Sequence, residues 1–162
     1  MKFITFILHE MVSISLNDAG NNAFINTKVL LEQSPKAIAA NTELQKQFGD
    51  REQSLRTLAQ GIQQMEKTYQ TDSAVMSDEQ KQKAEENIIQ NKRRFQFEQQ
   101  SLKEDLQAKQ RELLQEVQVS IKAVIQSYGT KNGYDFIFTD ASIAYASDAV
   151  NITDEILKEL EK

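Results

Sequence analysis

Cysteine and tryptophan are absent from this chain of 162 residues, proline occurs once and glycine five times. Without cysteine, no disulfide framework, thiolate zinc site or thiol nucleophile can form, and this absence fits a reducing compartment as well as an oxidising one. Gln, Glu, Lys, Ala and Leu fill the middle of the chain, a composition typical of long helices rather than of a compact mixed fold. We therefore expect an elongated, mainly helical protein.

The chain also lacks a positive net charge, because its formal charge is -5 and its pI is about 5.0. A general nucleic-acid binder needs a basic face to neutralise phosphates, so nucleic acid is not an expected partner. From Ser34 to Gly129, 14 Lys and Arg residues balance 14 Asp and Glu residues. The long middle segment is therefore neutral, and the acidic excess lies in the termini.

Residues suited to catalysis or to metal binding form no recognisable motif. The single histidine, His9, has no partner for a metal site or a Ser-His pair, and the carboxylates are scattered over predicted helix surfaces. No glycine-rich phosphate loop is present. We therefore predict no catalytic residues, no bound metal and no cofactor, and we do not expect an enzyme.

Residues 1–22 contain only a short apolar run, MKFITFIL, which His9 and Glu10 interrupt. The run is too short for a transmembrane helix, and no small-residue cleavage site follows closely, so it makes a poor secretory signal. Two interpretations remain open. Either a misassigned start disguises a true signal region, or the protein is cytosolic with an irregular N-terminus.

A long helix is predicted to begin at Ser34-Pro35, since Ser caps free amides and Pro tolerates the first helical position. Residues recurring at alternating steps of four and three then form a stripe in which seven of eight positions are apolar: Leu44, Phe48, Arg51, Leu55, Leu58, Ile62, Met65 and Tyr69. This spacing is typical of a supercoiled seam.

A chain reversal is predicted at Thr71–Met76, followed by a capping box at Ser77 and Gln80 and a second helix from Asp78 to about Tyr128. Its seam is less apolar, with five of eight positions: Ile88, Lys92, Phe95, Gln99, Leu102, Leu106, Lys109 and Leu113. After Leu113 the steps to Val117 and Ile121 are both four, so the packing face shifts. Folding the second helix back on the first predicts a long antiparallel helical-hairpin arm over residues 34–129.

Short β-forming runs flank the arm. Tyr134–Thr139 and Ser142–Ala146 indicate two strands, Ala23–Asn26 indicates a third, and a helix carrying Val29, Leu30 and Leu31 follows it. Asn151 or Thr153 is expected to cap a final helix over residues 154–160. The predicted fold is mainly α with a small β base, formed by residues 23–33 and 130–162, whose exposed strand edges favour oligomerisation.

The order of these segments resembles the Skp (OmpH-like) family of periplasmic chaperones. The resemblance covers residues from about Ala23 to Leu160, and its most specific parts are EQSPKA at Glu32–Ala37 and the IAYAS ending at Ile143–Ser147. It implies a homotrimer in which strands of three chains form a body, and in which three arms enclose a cavity. The resemblance further implies that this cavity holds unfolded outer-membrane proteins without ATP.

The resemblance also implies export to the periplasm and a set of residues for the trimerisation body: Phe24, Ile25, Phe136, Ile137, Phe138, Ile143 and Tyr145. Some members of the family have strongly basic arms suited to anionic envelope partners. The arm here is neutral, so contact with membranes or lipopolysaccharide is doubtful and is not carried over.

Five apolar residues of the arm are candidates for client binding. Tyr69, at the end of the seam stripe, lies with Val75 and Met76 at the tip, where the seam does not need apolar residues, and Ile89 and Phe97 lie off the stripe. A contact inside the hairpin and loose packing at the reversal are the alternatives for these residues. The basic cluster Lys92-Arg93-Arg94 is interpreted as a solvated helix face. The alternative function for the whole chain is a cytosolic structural or adaptor coiled coil, which needs neither the strand pair nor the EQSPKA segment.

Overall fold

The structure is a computed structural model that describes residues 20–141 and 143–162. It contains two strands and four α-helices in the order β1 (Asn22–Ile25), α1 (Thr27–Gln33), α2 (Pro35–Asp72), α3 (Asp78–Asn132), β2 (Phe136–Thr139) and α4 (Thr153–Leu160). Single 3₁₀ turns occupy Ser73–Val75 and Asp148–Val150. Residues 1–19, with His9 and most of the predicted N-terminal segment, lie outside the described residues, as does Ser142. The fold is mainly α with a small sheet, as predicted.

The two long helices begin where the capping residues predict. The Ser34 hydroxyl accepts a hydrogen bond from the Ala37 amide at 3.3 Å, and Pro35 is the first helical residue. At the reversal, the Gln80 amide donates to the Ser77 hydroxyl at 3.3 Å, while the Ser77 amide donates back to Gln80 Oε1 at 2.9 Å. With its 55 residues, α3 is roughly 80 Å long.

The α2–α3 seam buries apolar residues, and its charged residues form ion pairs across the hairpin. Phe48 and Ile62 of α2 are buried, as are Ile88, Leu102 and Leu113 of α3. The three charged seam residues each reach an acid on the opposite helix: Arg51 to Asp105 at 2.8 Å, Lys92 to Glu66 at 2.5 Å, and Lys109 to Glu43 at 3.0 Å. These pairs fit only one antiparallel alignment of the two helices, so they help to specify its register.

The predicted end of α3 near Tyr128 is wrong, because the helix continues to Asn132. Gly129 is buried inside the helix, and a Cβ there would lie 3.1 Å from Ile137 Cδ1, so this glycine permits close packing. The helix ends at Gly133, whose φ of 68° places it in the left-handed region and whose amide donates to the Gly129 and Thr130 carbonyls. Such a residue is the usual stop of a helix.

The two strands pair in parallel, from Asn22 opposite Phe136 to Ile25 opposite Thr139. On its other side β1 is bridged to Asn151, and the Ile152 amide donates to the Phe24 carbonyl at 2.9 Å. The strand predicted at Ser142–Ala146 is therefore wrong for its described residues, 143–146, which form no strand. Both edges of β1 are occupied within the chain, so this segment finds no partner there.

The core of the molecule lies where both ends of the chain meet the root of the hairpin. It is formed by buried residues from nearly every element: Ala23, Ile25, Leu30, Ala37, Val117, Ile121, Ile152 and Ile156. A hydrogen-bond network closes it, because the Asn26 amide donates to the Thr153 hydroxyl at 2.9 Å, and that hydroxyl donates to Asn151 Oδ1 at 2.6 Å. Asn151 Oδ1 also accepts from the Thr153 amide at 3.1 Å. The expected cap by Asn151 or Thr153 is wrong, however, because the N-cap position of α4 is Ile152 and carries no side-chain capping hydrogen bond.

No helix within residues 20–141 and 143–162 combines the length and the apolar character needed to cross a bilayer.

Candidate functional site

Three parts of the molecule carry the candidate residues. We call residues 64–91 the tip, residues 34–63 and 92–129 the shaft, and residues 20–33 with 130–162 the base. The tip is the outer end of the hairpin and includes the reversal at Ser73–Val75, whereas the shaft connects it to the core.

Two apolar grooves flank Tyr69 at the tip. One, of about 200 Å³, lies between Met65, Tyr69, Met76 and Ile88. The other, of about 300 Å³, is lined by Tyr69, Ile88 and Ile89, with Glu66 and Glu85 at its rim. The structure therefore brings together three of the residues predicted from the sequence, Tyr69, Met76 and Ile89.

Tyr69 is held in place by a polar contact at its outer end. Its hydroxyl donates a hydrogen bond to Glu85 Oε1 across the hairpin. This hydrogen bond to a carboxylate, together with partial burial of the ring, raises the pKa of Tyr69 above its ordinary value of 10.0. The phenol thus stays neutral at physiological pH and presents its ring to both grooves.

Val75 and Phe97 are the most exposed of the predicted arm residues. Val75, in the reversal, is 87% exposed, and Phe97, on α3, is 74% exposed. Phe97 borders a groove of about 360 Å³ that also contacts Arg51, Leu55 and Leu102. It lies eight residues from Ile89, about 12 Å along the helix, so it forms a separate apolar point on the shaft. The use of these residues for client binding stays a prediction.

The base exposes an aromatic face. Because Phe24 pairs with Phe138 in register, and side chains alternate along a strand, Phe24, Phe136 and Phe138 share the face of the sheet that points away from the core. The Phe136 and Phe138 rings stack at 5.9 Å, and Phe136 is 62% exposed. Tyr145, in the segment without a strand, is 84% exposed, and Ile143 is half-buried.

Two residues expected in the trimerisation body face inward instead. Ile25 is 1% exposed and belongs to the core, and Ile137 packs against that core. The alternation of the strands separates them from the phenylalanines of the outer face. A contact between subunits by the other five residues stays a prediction.

A groove of about 530 Å³ lies between α1 and α3 and was not predicted from the sequence. Its lining includes Thr27, Leu31, Ile121 and Ile125. The sequence interpretation also did not identify Ile38, Leu114 and Val119 as exposed apolar residues of the shaft. Their positions off the seam stripe are the same signal that singled out Phe97. The groove, by contrast, depends on how α1 crosses α3.

Within residues 20–141 and 143–162, no three His, Cys, Asp or Glu side chains are grouped in a way that would hold a metal ion.

A family model described as "Outer membrane protein (OmpH-like)" matches residues 21–160, nearly the whole chain. The chain belongs to the OmpH-like family. This membership confirms the resemblance seen in the EQSPKA and IAYAS segments.

Relatives in the OmpH-like family include the chaperone protein Skp of Pectobacterium atrosepticum. It is 24% identical over 149 residues, which cover 92% of this chain and 90% of that protein. A Skp-like protein of Pseudomonas aeruginosa is 22% identical over 164 residues, which cover 99% of this chain and 98% of that protein. The alignments therefore span both proteins almost completely.

The fold has a counterpart among solved structures. A crystal structure of an OmpH-like protein from Caulobacter crescentus matches 88% of this chain and 84% of its own with a TM-score of 0.73, at 13% identity. At this identity the match establishes the OmpH-like fold and not the activity. The OmpH-like family consists of chaperones and not enzymes, so family membership supports a chaperone role for this chain.

Proposed function

We propose that this OmpH-like protein is an ATP-independent holdase that binds unfolded outer-membrane proteins and prevents their aggregation. The proposal is supported by two strongly exposed apolar residues in the outer half of the helical arm, Val75 and Phe97. Neither residue packs in the seam, so each remains available to an apolar segment of an unfolded chain. Many weak contacts of this kind suit a client without fixed structure.

The second part of the proposal is a homotrimer whose bases join and whose arms surround the client. The outer sheet face with Phe136 and Phe138 is uncovered in a single chain, and apolar faces of this kind mark interaction sites. The outer edge of β2 also lacks a strand partner among the described residues. We infer that this edge of β2 pairs with a neighbouring copy.

Localisation in the periplasm follows from the proposed clients, which pass through this compartment on their way to the outer membrane. Sequencing the N-terminus of the native protein tests this part. A processed N-terminus in the periplasmic fraction is the expected result. An intact Met1 in the cytosolic fraction would instead support the adaptor alternative.

The holdase proposal is tested by diluting an outer-membrane β-barrel protein out of urea, without ATP, and following light scattering. The full chain should suppress aggregation. Replacing Phe97 and Met76 by Ser should weaken client binding about tenfold or more, because each removed side chain loses on the order of 1 kcal/mol of apolar burial. Fluorescence anisotropy of a labelled, unfolded client measures the affinity.

A matched control replaces Ile38 and Val119 by Ser, which removes two exposed apolar side chains of the shaft that are not assigned to clients. This variant should keep the affinity of the parent protein. Equal losses in both double variants would mean that any exposed apolar residue suffices, and no loss in either would contradict binding through the arm.

A further inference from the structure

The neutral charge of the arm conceals two zones of opposite sign. The tip contains six acidic and three basic residues, whereas the shaft contains eight acidic and eleven basic residues. The change of sign is abrupt on α3, where Glu85 and Glu86 are followed by Lys92, Arg93 and Arg94. The tip is therefore an acidic surface at the end of a basic shaft.

Most of the acidic groups at the tip are free of cations. Glu66 pairs with Lys92 and Glu79 with Lys83, both at 2.6 Å or less. The other four, Asp72, Asp78, Glu85 and Glu86, form no salt bridge with any described residue and are exposed. Their negative charge is consequently available to a partner.

The helix ends do not cancel this charge. The C-terminus of α2 and the N-terminus of α3 both lie at the tip, and they carry partial charges of opposite sign. These partial charges offset each other, so the excess of carboxylates determines the sign of the local field.

One of the unpaired acids, Glu85, borders one of the two apolar grooves beside Tyr69, together with the paired Glu66. Glu85 stands at the rim of the groove lined by Tyr69, Ile88 and Ile89, and accepts the hydrogen bond of the Tyr69 hydroxyl. Glu86 is the next residue, and Val75 is exposed in the adjoining reversal. A side chain that enters this groove therefore places its chain neighbours beside carboxylates.

We propose that the tip selects client segments in which an apolar residue stands next to Lys or Arg. This inference rests on the proposed holdase function and adds a preference to it. The apolar side chain occupies a groove beside Tyr69, and the neighbouring cation contacts Glu85 or Glu86. The basic shaft around Phe97 has no such preference, so the arm binds different client segments at its tip and along its length.

Two unstructured peptides with the same Leu-Phe-Leu centre, one flanked by Lys and the other by Glu, test the preference. A photo-crosslinking amino acid replaces Val75 at the tip or Phe97 on the shaft of the full-length protein. The Lys-flanked peptide should crosslink at position 75 about two- to tenfold more than the Glu-flanked peptide, the range for one or two exposed ion pairs. At position 97 the Lys-flanked peptide should have no advantage.

A charge variant and a matched control test whether the preference for the Lys-flanked peptide depends on Glu85 and Glu86. Glu85→Gln with Glu86→Gln removes two tip charges and keeps an oxygen that accepts from Tyr69, and it should abolish the advantage of the Lys-flanked peptide at position 75. Asp50→Asn with Glu104→Gln makes the same change in net charge on the shaft and should leave the advantage intact. Equal crosslinking of both peptides at position 75, or equal effects of the two double variants, would overturn the proposal.

Aggregation and crosslinking measured on the same parent protein distinguish a failure of tip selection from a failure of the holdase proposal. If the parent protein suppresses aggregation of an unfolded outer-membrane protein while the peptides show no preference at the tip, only tip selection fails. If aggregation is not suppressed and neither peptide crosslinks to the arm, both proposals fail.

Discussion

Gly61 lies in the interior of α2, and no atom lies within 4 Å of the position that a Cβ would take. A glycine in a helix costs roughly 0.5–1 kcal/mol relative to alanine, because it loses more backbone freedom on folding. We therefore expect Gly61→Ala to raise the free energy of unfolding by about this amount. Thermal or urea unfolding followed by circular dichroism measures the change.

Gly133→Ala, at the end of α3, should change the stability in the opposite direction from Gly61→Ala. The Gly133 φ of 68° requires the left-handed conformation, which costs an L-residue about 1 kcal/mol or more. This variant should be less stable than the parent protein, although its added methyl group also meets no neighbour. Stabilisation by both substitutions would contradict the interpretation of Gly133 as the helix stop.

The Asp140 side chain connects the end of β2 to the start of α1. Its carboxylate accepts hydrogen bonds from the Thr27 hydroxyl and from the Thr27 amide, the latter at 2.9 Å. These bonds lower the pKa of Asp140 below its ordinary value of 3.8, mainly through the Thr27 hydroxyl. The pKa of Asp140 is lower in the folded protein than in the unfolded chain. The ionised carboxylate therefore contributes its full stabilisation of the folded state above the unfolded pKa, and this contribution is lost as the pH falls through the folded pKa.

Asp140→Asn should therefore destabilise the base at neutral pH and flatten the acid side of its stability profile below about pH 4. Urea unfolding at a series of pH values measures the profile. Asp148→Asn, at another exposed acid of the base, should leave the profile unchanged. An unaltered acid slope in the Asp140 variant would show that the Thr27 contact does not contribute.

The proposed trimer depends on the exposed face of the sheet in the base. Replacing Phe136 and Phe138 by Thr keeps the strand propensity of β2 but removes the exposed aromatic face. Burial of each Phe side chain contributes roughly 1.5–3 kcal/mol to association. We therefore expect the protein concentration at which half of the proposed trimer has dissociated to be at least about tenfold higher for this variant than for the parent protein. Analytical ultracentrifugation over a dilution series measures the equilibrium.

The control for assembly is Val119→Thr, an exposed apolar residue of the shaft. It should assemble like the parent protein. If the two phenylalanine substitutions also leave the oligomeric state unchanged, the sheet face is not the assembly surface, and the model of a shared base fails.

Client binding by the whole arm should depend only modestly on salt. Its 14 positive and 14 negative groups balance, so the average client gains little from net charge. Raising the salt concentration from about 50 to about 300 mM roughly halves the Debye length, and we expect the affinity for a full-length client to fall less than tenfold. A larger fall, with the Phe97 and Met76 double variant unaffected, would identify charge clusters as the main binding element.

Both long helices were predictable because their signals are local. Ser34 and Ser77 cap their own helices through amides three residues away, and the apolar spacing of the seam persists along both helices. The predicted end of α3 was wrong because a glycine can either lie inside a helix, where it allows close packing, or end the helix in the left-handed conformation. Gly129 serves close packing against Ile137, and the sequence does not distinguish this from the left-handed stop at Gly133.

The arrangement of the base was not predictable in the same way. Short apolar runs identified β1 and β2, but pairing depends on residues more than a hundred positions apart in the chain. The bridge between Phe24 and Asn151 occupies the edge of β1 opposite β2. From the sequence alone, residues 143–146 could equally have paired there. For the candidate site, off-seam apolar residues were visible in the sequence, whereas the grooves beside Tyr69 require both helices in register.

Periodicity and capping over a few turns predict the hairpin, its reversal and the apolar residues that the seam does not use, so these features could be predicted from the sequence. The folded arrangement is needed to know which apolar residues stay exposed, which strand edges are occupied and which carboxylates lie beside Tyr69. Those properties depend on the separation between atoms from distant parts of the chain. That separation is set when the hairpin closes and the two chain ends pack against its root.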